Sequence, residues 1–289
     1  MRNISRLAAL VSVTSLISAC SPITVIDALT PKSTYEASNN LSYGSDPRQK
    51  LNVFLPNTSD FAVPAKGYPV VVFFYGGSWN FGSKEEYRFV GEALASKGLI
   101  TVIADYRLYP QVRYPEFLDD CALAMGWVQQ HLSDYHGNPA RLYVMGHSAG
   151  AYNAAMLALD ERWLKKQGLS THIFKGWIGL AGPYDFLPIE NEDVKPVFFH
   201  PNYPQDSQPI DFVSATAPRT FLGVSRSDDL VDPTRNTKKL AEKLSRLGVH
   251  VTLREYSSTS HATIMGAFAR PLRFIAPVLD DVVAFVGRD

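Results

Sequence analysis

The sequence predicts an α/β fold: a mostly parallel central sheet with helices on both faces. Two observations carry that expectation. Short apolar, β-branched or aromatic runs bounded by Gly, Pro or Asp recur along the chain, as buried strands do. Stretches with helical spacing separate them, and strand-helix alternation of this kind builds a parallel sheet covered on both sides. Composition agrees. With 289 residues, 46% hydrophobic and 19% charged, the chain suits one large domain or two small ones, and disordered, collagen-like and coiled-coil classes are excluded.

The elements follow in chain order. Arg2 and Arg6 precede an apolar run from Leu7 to Ile17, which is too short to span about 30 Å of hydrocarbon. Residues 1–19 therefore read as a signal peptide, with 20–45 as an N-terminal tether and 46–289 as the folded domain. Strands are expected at Leu51–Leu55, Val70–Tyr75, Ile100–Ala104, Leu142–Met145, Trp177–Leu180, Phe221–Val224 and Val249–Leu253. Helices are expected at Lys84–Lys97, Glu116–Leu132, Ala149–Lys166, Asn236–Leu247 and Ala262–Val286. Residues 185–218 break the rhythm with Pro188, Pro196, Pro201, Pro204, Pro209 and Pro218. Proline at that density stops helices and removes ladder donors, so an irregular insertion is expected there, either a lid or cap-like element or a packed surface excursion.

Charge and rare residues narrow the function. Lys plus Arg and Asp plus Glu are 28 each, which gives no electrostatic footprint for nucleic acid. Two cysteines, Cys20 and Cys121, cannot make a disulfide framework or a multi-cysteine metal site. None of the seven histidines forms an HExxH pair, so no metal and no cofactor is expected. Oligomeric state is not legible. The segment Ile17-Ser18-Ala19-Cys20 resembles the lipobox of bacterial lipoproteins. That resemblance implies lipidation of Cys20, where acyl chains at ~0.8 kcal/mol per buried methylene anchor a domain. Ser21, standing where an inner-membrane retention signal places Asp, implies the outer membrane of a bacterial envelope, facing the periplasm.

Gly146-His147-Ser148-Ala149-Gly150 sits between the expected strand Leu142–Met145 and an apolar helical stretch. A strand-to-helix turn of that composition exposes a strained serine, and its glycines admit a turn too tight for Cβ atoms. A serine hydroxyl becomes a nucleophile only beside an imidazole that a carboxylate orients. Two later strand ends supply both groups. Asp228 and Asp229 follow Phe221–Val224, and His261 follows Val249–Leu253. Adjacent residues point different ways, so only one of the two acids can hold His261. An oxyanion site needs backbone donors. One should be the amide of Ala149, and the others should come from Tyr75-Gly76-Gly77-Ser78-Trp79 after the strand Val70–Tyr75.

Together these residues resemble the α/β-hydrolase superfamily, specifically its esterase branch with an HGG-type oxyanion motif. That branch includes feruloyl-esterase-like and hormone-sensitive-lipase-like carboxylesterases and kynurenine formamidases. The segments Asp105-Tyr106-Arg107-Leu108-Tyr109-Pro110 and Tyr114-Pro115-Glu116-Phe117-Leu118-Asp119-Asp120 are similar to the family's YRL and FP…D stretches. The resemblance covers about Leu51 to Phe285 and implies a triad of Ser148, Asp228 and His261. Asp228 is preferred because the family's D-x-x-V maps onto Asp228 and Val231. It also implies oxyanion donors at Gly77, Ser78 and Ala149. One departure is Tyr75, which stands where the family has histidine; it bears on loop geometry more than on chemistry. Arg107 is expected to brace the region through Asp119 or Asp120.

The expected reaction is hydrolysis of a small-molecule carboxylic ester through an acyl-enzyme. An arylformamidase-type amidase is the nearest alternative. A catalytically silent, lipid-anchored binding protein is the alternative from another class, and the filled triad positions argue against it. Trp79, Tyr184, Phe198, Phe199 and Tyr203 are candidates for the substrate pocket.

Overall fold

The computed structural model describes residues 26–287. The signal peptide and Cys20 lie outside the described residues. Eight strands form one sheet: β1 (Tyr35–Ser42), β2 (Lys50–Pro56), β3 (Tyr68–Phe74), β4 (Ile100–Ala104), β5 (Gly137–His147), β6 (Phe174–Leu180), β7 (Arg219–Ser225) and β8 (Val251–Tyr256). Their order is β1-β2-β4-β3-β5-β6-β7-β8. β1 and β2 run antiparallel, and every pairing from β4 to β8 is parallel. The sheet is therefore mostly parallel, as expected, and the carboxyl ends of β3, β5, β7 and β8 share one edge. In such sheets that edge is where ligands bind.

Seven of the strands match the apolar runs. β3 and β4 are buried throughout, which is why they read as unbroken hydrophobic stretches rather than alternating ones. β1 falls within the segment expected as a tether, and it corrects that boundary. Its residues, Tyr-Glu-Ala-Ser-Asn-Asn-Leu-Ser, carry no apolar run because the strand lies at the edge and stays largely exposed. The pairing shifts register between Ser38 and Leu41, where Asn40 takes a φ of 58° and its amide donates to Asn52 Oδ1 at 2.8 Å.

The helices are α1 (Arg88–Ala95), α2 (Glu116–His131), α3 (Ala149–Leu159), α4 (Glu161–Lys165), α5 (Lys239–Arg246), α6 (Thr263–Gly266) and α7 (Val278–Gly287). Every residue of α3 is buried, and its alanines let the helix lie close against β5 and β6. Two expected helices are divided. The stretch 149–166 breaks at Asp160, whose side chain caps α4 by accepting from the Arg162 amide. The stretch 262–286 is not one helix: Pro271 and Pro277 interrupt it, leaving α6, a 3₁₀ turn at Arg270–Leu272 and α7. The 185–218 insertion is irregular as expected, with short 3₁₀ turns at Lys195–Phe198 and Pro209–Phe212.

Candidate active site

β5 delivers Ser148 directly onto α3. The serine has φ 54° and ψ −124°, a strained conformation for a residue with a side chain, and its amide is held by Leu180 O at 2.9 Å. The flanking glycines are obligatory here. A Cβ at Gly146 would lie 2.0 Å from Gly150 O, and one at Gly150 would lie 2.0 Å from Phe74 O. Backbone contact alone thus forces both glycines of the G-x-S-x-G pattern.

Three strand ends converge on that serine. His261, in the loop after β8, places Nε2 2.9 Å from Ser148 Oγ. Its Nδ1 lies 2.8 and 3.0 Å from the two oxygens of Asp228, in the loop after β7. Asp228 Oδ1 also accepts from the amides of Leu230 and Val231, at 3.0 and 2.9 Å. Burial works to raise the Asp228 pKa. The hydrogen bond and charge of His261, joined by the two amides, outweigh it and hold the carboxyl below its ordinary value. Asp229 is exposed and is not the partner of His261.

Sequence reasoning assigned no role to His147, the residue before the nucleophile. Its Nε2 lies 2.9 Å from the carbonyl oxygen of His261, and the two rings sit 5.0 Å apart. Burial and then the neighbouring His261 push its pKa down to about 3. The ring is therefore neutral at physiological pH, with Nε2–H donating.

The loop after β3 runs beside Ser148: a Cβ at Gly76 would come within 2.9 Å of the serine Cβ. Gly77, Ser78 and Ala149 all line the cavity in front of Ser148. Among the described residues, none of the loop and cap hydrogen bonds uses the N–H of Gly77, Ser78 or Ala149. Tyr75 braces this loop in place of a histidine. Its ring is fully buried and stacks on Tyr87 and Tyr106, while its hydroxyl donates to Asp105 Oδ1 at 2.6 Å and accepts from Arg48 at 2.8 Å. The carboxylate that Arg107 meets is Asp120, at 2.7 Å and nearly inaccessible, so this is not a surface pair.

The cavity measures about 400 Å³. Of the five aromatic residues expected to line it, Trp79 does, though it is almost wholly buried. Tyr184 and Phe198 are fully buried beneath it; Phe198 packs against Trp79 and Tyr184 against Trp177. Phe199 is a surface residue under Arg113, and Tyr203 bonds His200 at 2.7 Å. None of these four lines the cavity. The walls come instead from Phe81, Phe186, Ile189, Val194, Leu230 and Val231. A usable signal existed for Leu230-Val231: an apolar pair inside the acidic loop that carries the triad acid. Periodicity offers none for Phe186 or Ile189, which lie in an irregular segment.

With this geometry in place, comparison with known proteins decides the family. The BD-FAE family model matches residues 51–244. This chain belongs to the BD-FAE family. The match takes in β2 to α5, including Ser148 and Asp228, and His261 follows just beyond it. A kynurenine formamidase of Salmo salar is 30% identical over 78% of this chain and 75% of its own length. A probable isoprenylcysteine alpha-carbonyl methylesterase of Arabidopsis thaliana is 28% identical over 86% of this chain. The match covers 56% of that plant protein, so the chain spans little more than half its length. Among solved structures, a truncated carbohydrate esterase from gut microbiota superposes with a TM-score of 0.75. It is 16% identical and covered over 97% of its chain, against 89% of this one, a likeness of fold.

Proposed function

We propose that this protein is a serine hydrolase that cleaves small-molecule carboxylic esters through an acyl-enzyme. The observation that carries the reading is the unbroken line from Ser148 Oγ through both ring nitrogens of His261 to Asp228. Membership of the BD-FAE family and the esterase relatives support it.

In this reading His261 Nε2 takes the Ser148 proton as Oγ attacks the carbonyl carbon, and Asp228 holds the ring and steadies the imidazolium. The carbonyl oxygen becomes an oxyanion facing the amides of Gly77, Ser78 and Ala149, the last at the positive end of α3. His261 then passes its proton to the departing alkoxide, leaving an acyl group on Ser148. Water, deprotonated by the same ring, releases the acid and restores the serine. Ser148→Ala is expected to cut hydrolysis of a p-nitrophenyl ester by about 10⁴-fold or more, with an unchanged circular dichroism spectrum. A variant that turns over at the wild-type rate removes the mechanism.

A formamidase reading uses the same groups, and the Salmo salar relative favours it: both chains are well covered in that match. Side-by-side kcat/KM on N-formyl-kynurenine and on short acyl esters separates the two. For location, the Ile17–Cys20 lipobox supports a protein tethered through Cys20 to the outer membrane and facing the periplasm. If so, Cys20→Ala leaves the membrane fraction and appears in the soluble one; a variant that still sediments with membranes overturns the tether.

A further inference from the structure

The oxyanion amides come from two separate elements: the loop after β3 supplies Gly77 and Ser78, and the start of α3 supplies Ala149. An oxyanion site works only if both halves keep a fixed separation, because the donors must meet an oxygen that exists only in the transition state. The loop half is held in an unfavourable shape. Gly77, Ser78 and Trp79 have successive φ values of 120°, 51° and 59°, and two of the three carry side chains. Such a run persists only when its surroundings over-determine it.

The surroundings meet at Trp79. Its indole is 2% exposed and lies among Phe117, Tyr152, Phe186 and Phe198, with ring centroids 5.0 to 6.2 Å away. Its carbonyl accepts from the Tyr109 amide at 2.8 Å. Its Nε1–H donates to Asn153 Oδ1 at 3.0 Å. Asn153 is on α3, one turn beyond Ala149, so this bond joins the loop half to the helix half. Asn153 is wholly buried, and its Nδ2 has no oxygen or nitrogen partner among the described residues, with the buried Cys121 thiol as its polar neighbour. A buried amide donor without an oxygen or nitrogen acceptor adds little stability. Leucine of similar volume removes that donor but leaves the buried indole N–H without its acceptor, a cost of the same kind.

We infer that Trp79 and Asn153 form a clamp that sets the spacing between the two halves of the oxyanion site, acting as positioning residues for the reaction. The inference rests on the ester-hydrolase reading above, because only a developing oxyanion makes that spacing matter. Acyl-enzyme formation and breakdown both pass through a tetrahedral oxyanion in the same place, so kcat falls whichever step limits it.

The test uses Asn153→Leu, Trp79→Phe and the double variant, with an aryl trifluoromethyl ketone whose hemiketal with Ser148 presents an oxyanion. Each single variant is expected to lose about 10–100-fold in kcat, with KM within about threefold. Inhibitor affinity should fall by the same factor as kcat/KM, with the melting temperature of Asn153→Leu lowered by no more than about 4 °C, since one unpaired donor replaces another. The double variant should lose no more than the worse single one, because both break one bond. If Asn153→Leu does not fold, Trp79→Phe carries the same kcat and inhibitor readouts. Unimpaired kcat and inhibitor binding in the folded variants, or fully additive losses in the double, overturn the clamp. A wild-type protein that hydrolyses neither ester nor formamide overturns the catalytic reading instead.

Discussion

The turn at Gly146–Gly150 holds its serine through backbone contact, whereas the 185–218 insertion shapes the cavity through side chains that meet only in three dimensions. In the turn, a single added Cβ collides with a carbonyl two ångströms away. In the insertion, Phe186 and Ile189 reach the cavity while nearby Phe198 drops beneath it and Phe199 faces outward. One region constrains residue identity at both glycines. The other constrains only the wall that results. The nucleophile's turn is thus written locally, and the cavity wall is written by packing.

The contrast breaks most visibly at the triad acid. Asp228→Asn is expected to lower kcat by about 10⁴-fold, because the amide favours the wrong tautomer of His261. Asp229→Asn, one residue along, should stay within about twofold of wild type. Equal losses in the two variants, measured on the same ester, contradict the assignment.

A smaller effect sharpens the turn itself. His147 is held neutral with a folded pKa of about 3 against an ordinary value of 6.5. Between those values the unfolded chain binds a proton that the folded protein refuses. Stability therefore rises with pH across that window and falls on acidification, by about 1.4 kcal/mol per pH unit from this group. Asp228 acts in the same direction lower down: its depressed pKa gives stability that is present above the unfolded value and lost as pH falls through the folded one. His147→Gln keeps a donor for the His261 carbonyl without a titrating ring. Denaturant midpoints from pH 6.5 to 4 should show its slope reduced by about one proton, and an unchanged slope would deny the buried-neutral ring.

The smallest effect belongs to the cavity wall. Phe186→Ala should reduce kcat/KM for an aromatic acyl ester by about tenfold while sparing an acetyl ester. Phe199→Ala should change neither. Loss at Phe199 with none at Phe186 would return the wall to the residues first expected from the sequence.

Much of this was legible beforehand, for identifiable reasons. β3 and β4 announce themselves most clearly because parallel strands buried on both faces must be apolar along their whole length. β1 is silent because an edge strand with a register shift needs no apolar face. Ser148 and His261 are readable from their place after strands, and Asp228 is readable over Asp229 only through the family pattern. The long helix expected at 262–286 fails because the spacing was followed past two prolines. His147 and Asn153 were missed because each acts through one hydrogen bond to a residue more than seventy positions away.

By itself the sequence determined the strand-helix alternation and the glycines that a strained serine requires, because these follow from local sterics and from burial along a single element. Tertiary structure alone decided which aromatic side chains reach the cavity and how two backbone segments are spaced. Those outcomes depend on distances between elements far apart in the chain, and a linear pattern carries no term for such distances.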